Sequence, residues 1–429
     1  MSSHKLSLFE ATLLNVNIML GTGAFINTVL LAHLSGMAGS VSYIVVAALL
    51  LPLLYVIGSL VNTYPDGGFY AYSKNTLGIF WGFISGWIYF VGKLASGTLM
   101  IHVSSSLLQT FFVPLQWVPT FTLDLVTLAL FIYLNMHNLK VGTMITKMFI
   151  VLKALPIIGT FLATITYFKP EFIAAGPYYW GGITTSLPYV LYAFISFEMS
   201  CSLSRSIENP ERNASRSLYF SYLTVLIITV LFQTSMYLLI GPRLGSFSSF
   251  LDAFPALFAS LFPQSQQLVL WLSTTAHTAI AFSALGGAYG LLFSNHWNLY
   301  TLARNGHIPF AHLMTQLNKH GTPYAGVIVE GIICVAYLMA SGGAQTILQQ
   351  IGALGPTLTF GISVIGFLVG TSRGKIKAQR WTGWLALISC LVLMGVGIQT
   401  MLASQLTAGI VIITILAVGF ALYVVTKRP

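Results

Sequence analysis

The chain reads as a succession of long apolar runs separated by short polar stretches. Taking about 20 apolar residues as one membrane crossing, spans are predicted at roughly 9–33, 38–61, 79–112, 119–136, 140–167, 182–203, 215–241, 267–303, 324–341, 346–370, 381–402 and 406–426. They are numbered here as segments 1 to 12. Segments 3 and 8 are longer than one crossing and must tilt, kink or extend beyond it. Within segment 1, the stretch Asn17–Asn27 sets Gly21 and Gly23 in the middle of an apolar run. Glycine weakens a helix and lets the backbone leave it, which in a bilayer is tolerated beside protein or a water-filled cavity. A second interruption lies in segment 6, where Tyr192–Glu198 places Ser196 and an acid inside an apolar helix. Two such breaks, five segments apart, predict a pair of discontinuous helices at the interface of inverted repeats.

Composition turns this pattern into a class. Of 429 residues, 56% are hydrophobic and 7% charged, so charge is too scarce to solvate a soluble domain of this size. The expectation is an all-α integral membrane protein of twelve transmembrane helices, forming one domain: first repeat 1–167, second repeat 182–370, two peripheral helices 381–426. The net charge of +10 follows from topology and calls for no nucleic acid. With the N-terminus inside, fourteen Lys and Arg fall on the cytoplasmic side, clustered in 205–216, 304–321 and 373–380, against Lys169 and Arg243 outside. Both termini are therefore expected to be cytoplasmic. No cleavage site follows a short apolar core, so no removable signal peptide is expected. Cys201, Cys334 and Cys390 are scattered in apolar surroundings and read as reduced packing residues. There is no metal-ligand spacing and no nucleotide-binding Gly-Lys-Ser/Thr loop, so neither a cofactor nor ATP is expected to drive it, and no catalytic constellation can be assembled.

Several stretches together resemble the amino acid-polyamine-organocation transporter superfamily, in particular its bacterial amino acid antiporters and permeases. They are Gly21-Thr22-Gly23, Tyr64–Tyr72, Asn138–Gly142, Phe194–Glu198 running on to Glu208–Asn213, and Leu302–Pro309 with Gly321–Pro323. The resemblance implies a leucine-transporter-like fold with ten core helices and two peripheral ones, in the cell inner membrane. It also implies alternating access around a central site, by proton-coupled symport or amino acid exchange. Ile18, Gly21, Thr22, Gly23 and Ala24 would then meet the substrate carboxylate at a half-helix start. The carbonyls of Phe194 and Ile195, with Ser196, would meet the ammonium. Three departures bear on selectivity. Ser196 stands where the family usually has glycine, while Tyr192 and Leu291 stand where the resembling arginine/agmatine antiporters carry tryptophan, which weakens a cationic amino acid or polyamine reading. A channel and a non-transporting amino acid sensor are the rivals of another class. The resemblance also implies an amino acid, protons and lipid as partners, with the chain acting as a monomer or homodimer.

Charges inside the spans sharpen the expectation, since such residues are costly unless paired or facing a cavity. Lys93 shares a face of segment 3 with Gly97 and Met100; it either attracts a substrate carboxylate or neutralises Glu198. Lys153 in segment 5 matches a lysine that proton-coupled relatives place near the second sodium site of sodium-driven members, and is a candidate for proton coupling. Glu198 matches a family glutamate linked to pH and gating. Lys147 is expected to snorkel to headgroups, and Asp124 and Glu330 are read as structural.

Overall fold

The computed structural model describes residues 5–426 apart from 22, 138 and 405. Each predicted run carries helix, and the described residues contain no strand, only isolated bridges at Leu6–Ile207 and Gly36–Tyr178. Among the described residues nine helices are long and apolar enough to cross a membrane. Segment 1 adds a tenth as a broken pair, Leu8–Met19 and Gly23–Ser35, bent by 47°. Segments 4 (Thr120–Asn135) and 6 (Gly182–Phe194) are shorter, at 16 and 13 residues.

Local chemistry sets where the helices begin and end. Ser7 caps segment 1 through a reciprocal pair of bonds with Glu10, which satisfies donors left free in the first turn. Pro210 opens segment 7, where its missing N–H is no loss, and Gly342 closes segment 9 with φ 55°. Segment 3 (Ile79–Phe111) is the axis of the molecule. The 18-residue window that qualifies it as a span is buried throughout, whereas the windows of segments 11 and 12 are 33% and 22% buried. At about 1.5 Å per residue, the 33 residues of segment 3 and the 39 of segment 8 (Gln266–Arg304) outrun a single crossing. Segments 11 and 12 are also tied to the bundle by side-chain bonds. Ser389 Oγ donates to the Leu49 carbonyl at 2.6 Å, and Trp87 Nε1 donates to the Ile415 carbonyl at 2.9 Å.

The loops sort into two ends. At one end, which we call the basic face, the segment 2–3 connector meets the ends of segments 6 and 8. Arg205 pairs with Asp66, Lys74 Nζ donates to Asn305 Oδ1 at 3.0 Å, and Tyr70 OH meets His307 Nε2 at 3.0 Å. At the other end Gly36 bridges to Tyr178, and His33 Nδ1 donates to the Gly245 carbonyl at 3.0 Å.

Candidate substrate and coupling site

Segments 1 and 6 break beside each other and are fastened as a unit. Asn15 Nδ2 donates to Ser200 Oγ at 3.0 Å while the Ser200 N–H donates to Asn15 Oδ1 at 2.8 Å. Asn27 Nδ2 donates to the Tyr189 carbonyl at 2.9 Å, and Leu6 pairs with Ile207. Between the half-helices of segment 1, Leu20 closes the first and Gly23 opens the second; Thr22 lies outside the described residues. A methyl added at Gly23 would stand 3.3 Å from Ala193 Cα, so this glycine also lets the two broken segments approach.

Segment 6 unwinds despite lacking glycine. Ile195 is extended, Ser196 takes φ 100°, and the chain resumes as a 3-10 helix over Met199–Ser206. A serine in that conformation is strained by about 1–2 kcal/mol and needs its surroundings to hold it. Lys93 Nζ supplies them, donating to Ser196 Oγ at 3.0 Å and lying 2.7 Å from Glu198 Oε1. The Ser196 N–H donates to Glu198 Oε2 at 3.2 Å, and Tyr89 OH donates to Oε1 at 2.9 Å. Lys93, Ser196 and Glu198 are all at most 2% exposed. Of the two roles open to Lys93 from sequence, this geometry has it engaged with Glu198.

On the same face of segment 3, Gly97 and Met100 meet segments 1 and 8. A methyl on Gly97 would stand 3.2 Å from Leu291 Cδ2, and one on Gly21 would stand 3.2 Å from Met100 Cε. One on Gly287 would stand 2.8 Å from Met100 Sδ and 3.6 Å from Gly21 Cα, and one on Gly290 would stand 2.9 Å from Ile18 Cγ1. Around the breaks, Ile18, Met100 and Leu291 thus pack directly against bare glycine backbone. Met100, Gly287 and Gly290 were outside the sequence-derived site. The Phe194 ring packs on Tyr43 and Tyr222, which leaves its backbone carbonyl, the group expected to meet the ammonium, as what it offers a ligand. Tyr192 is half-buried with its hydroxyl unpartnered among the described residues, and Ala24 is buried.

Lys153 enters from segment 5 at the end of the first half-helix of segment 1. Its Nζ donates to the carbonyls of Asn17 at 2.6 Å, Leu20 at 2.9 Å and Ser283 at 3.5 Å. Ser283 Oγ donates to the Leu20 and Gly21 carbonyls at 2.8 and 3.1 Å. A helix C-terminus leaves carbonyls free and favours a cation, and here the ammonium fills a cradle of carbonyls joining segments 1 and 8. Lys147 lies 2.8 Å from Glu10 Oε1 of the segment 1 capping box, with its side chain still 48% exposed.

The basic face carries a titratable latch. Burial and the nearby Lys74 ammonium hold the His307 imidazole below its usual range. Its folded value lies below its unfolded one, so the neutral latch contributes fully above about pH 6.5 and is lost as pH falls beneath it. Thermal unfolding in detergent between about pH 7 and about pH 5 should show this slope. His307→Gln should flatten it, and an unchanged slope would assign the pH dependence elsewhere.

Comparison with known proteins accords with this geometry. Chain residues 6–427 match the sequence profile described as amino acid permease. An uncharacterized transporter of Legionella pneumophila is 25% identical over 318 residues, 68% of this chain and 65% of that protein, so the match spans just under two thirds of that relative. The branched-chain amino acid permease BcaP of Bacillus subtilis is 23% identical over 75% of this chain and 71% of its own. The L-asparagine permease of Streptomyces coelicolor is 22% identical over 83% and 75%. With nearly its whole length matched and its helices broken and paired as described, the chain belongs to the amino acid permease family.

Proposed function

We propose that the protein is a secondary transporter of neutral amino acids, working by proton-coupled symport or by exchange. The observation that carries the substrate class is the Lys93–Glu198 contact at 2.7 Å. With these charges cancelling each other, the remaining charge among the described residues near Ile18, Met100 and Leu291 is the Lys153 ammonium, which is taken up by backbone carbonyls and is not presented to a substrate side chain. The N–H groups of Gly23 and Ala24 open a half-helix and would take the α-carboxylate; the carbonyls of Phe194 and Ile195 would take the ammonium. The relatives named for branched-chain amino acids and asparagine act on neutral substrates, which supports the same reading.

In this reading segments 1–5 and 6–10 are inverted repeats, both termini are cytoplasmic, and the basic face is the cytoplasmic end. Substrate binding biases rocking of segments 1, 2, 6 and 7 against segments 3, 4, 8 and 9. Lys153, held by carbonyls of segments 1 and 8, links proton occupancy to that motion.

Purified protein in liposomes should take up labelled branched-chain or other neutral amino acids saturably, faster with an inward pH gradient or with internal amino acid. Uptake confined to cationic amino acids or polyamines would replace this reading with a cationic antiporter. Binding without uptake would make the protein a sensor, and ion conductance without exchange a channel.

A further inference from the structure

Glu330 belongs to segment 9 and takes no part in the site above. Yet it is 1% exposed, and neither carboxyl oxygen has a hydrogen-bond partner among the described residues. An ionised carboxylate left this way is costly, and an acid inside a membrane span marks an ion or proton path more readily than a strut. Its surroundings are polar in one direction. His296 of segment 8 stands with Nδ1 3.8 Å from Oε2. The same Nδ1 meets the Leu292 carbonyl at 3.0 Å and must donate to it, which leaves Nε2, also buried and unpartnered among the described residues, as the ring's basic nitrogen.

The Asn295 side chain approaches Glu330 without a hydrogen bond of normal geometry, its Nδ2 donating to the Phe90 carbonyl at 2.9 Å. Asn295 Oδ1 accepts from Asn298 Nδ2 at 3.0 Å, and Asn298 donates on to Ser202 Oγ at 2.9 Å. One and two turns further along segment 8, Thr301 and Asn305 line a cavity of about 300 Å³ at the basic face. The bonded pair Asn298–Asn295 thus lies along segment 8 between that cavity and Glu330. A branch through Ser202 reaches Tyr89 and Glu198.

The other elements packed against segment 9 bring no free charge to Glu330. Cys334, one turn on, is its nearest titratable neighbour on its own helix. The ionisable side chains of segment 3, Tyr89, Lys93 and His102, are engaged by Glu198 and Asp124. In segment 4, Asp124 is held by His102 at 2.7 Å and Tyr133 is 62% exposed. Segment 10 has no titratable residue, and the short helix Ala311–Met314 contributes only His312, outside the spans.

We infer that Glu330 is a proton-binding carboxyl of the transport cycle, reached from the basic-face cavity past Asn298 and Asn295, with the His296 Nδ1–H as its nearest polar neighbour. The inference rests on the transport reading and replaces the structural role expected from sequence. The step is one proton moving from water in the cavity to a carboxylate oxygen and returning to water on release, with no other reactant.

Two measurements test it. Infrared pH-difference spectra of the purified protein should contain a protonated-carboxyl C=O band that Glu330→Gln removes and His296→Gln moves to a different pH midpoint. In liposomes a one-unit pH gradient sustains about tenfold accumulation per proton. Glu330→Gln, unable to give up a proton, should fall to simple equilibration while still exchanging labelled for unlabelled amino acid at equal pH. An infrared band indifferent to Glu330→Gln, or accumulation like that of the unaltered protein, overturns the inference. So does a folded Glu330→Gln protein that loses exchange together with accumulation, since that is what a purely structural residue gives. If the unaltered protein moves no amino acid, the transport reading fails on its own, and the infrared band still decides whether Glu330 binds a proton.

Discussion

Lys93→Met should be the most damaging single change, lowering stability by about 3–5 kcal/mol and abolishing uptake. It leaves Glu198 buried with only Tyr89 OH and the Ser196 N–H to hold it, and frees Ser196 Oγ from its donor. Most of the loss comes from the stranded charge and not from the missing attraction, so the remedy is to remove the charge. Lys93→Met combined with Glu198→Gln should recover most of the stability, because a neutral amide still accepts from Tyr89. Glu198→Gln alone strands the ammonium instead and should cost a similar amount. Chemical unfolding of the four proteins in detergent completes the cycle. Equal losses in the single and double variants would show that the pair is not where the stability resides.

Lys153→Met should come next, with a loss of about 2–3 kcal/mol from charged hydrogen bonds and at least tenfold slower uptake. The carbonyls of Asn17, Leu20 and Ser283 would lose their donor, and the end of the first half-helix would no longer be clamped to segment 8. Segment 1 would retain its ties to segment 6 through Asn15 and Asn27, so the two broken helices should still move together but without a proton-dependent anchor. Uptake should therefore lose its response to a pH gradient. A folded Lys153→Met protein that takes up substrate normally and still answers the gradient would remove Lys153 from the coupling.

What could be read from sequence was whatever a single segment carries by itself. Gly21 and Gly23 announce a break because an apolar run has no other use for them, and Glu198 and Lys93 stand out because charge in a span must be met by something. Which group meets which is a property of helices packed side by side. Hence sequence leaves Lys93 with two roles, does not reveal that Glu10 meets Lys147, and does not place Met100 in the site although it shares the Lys93 face. Gly287 and Gly290 look like ordinary packing glycines until Met100 and Ile18 are found against them. Glu330 illustrates the converse. A lone acid in segment 9 looks like a strut, and only the absence of partners on both oxygens among the described residues, together with the amides of segment 8 nearby, changes that reading.

Ser196 bears on how fast such a protein cycles. Its left-handed backbone is held by a side-chain bond to Lys93 and an N–H bond to Glu198, so the arrangement lasts only while that pair stays in place. Whatever draws Lys93 aside lets the chain relax, and the energy stored at Ser196, about 1–2 kcal/mol, comes off the barrier to leaving. A glycine there would sit at ease in the same shape and give no such push. In the proposed transport cycle the serine would therefore shorten the life of this arrangement, trading tightness of hold for turnover.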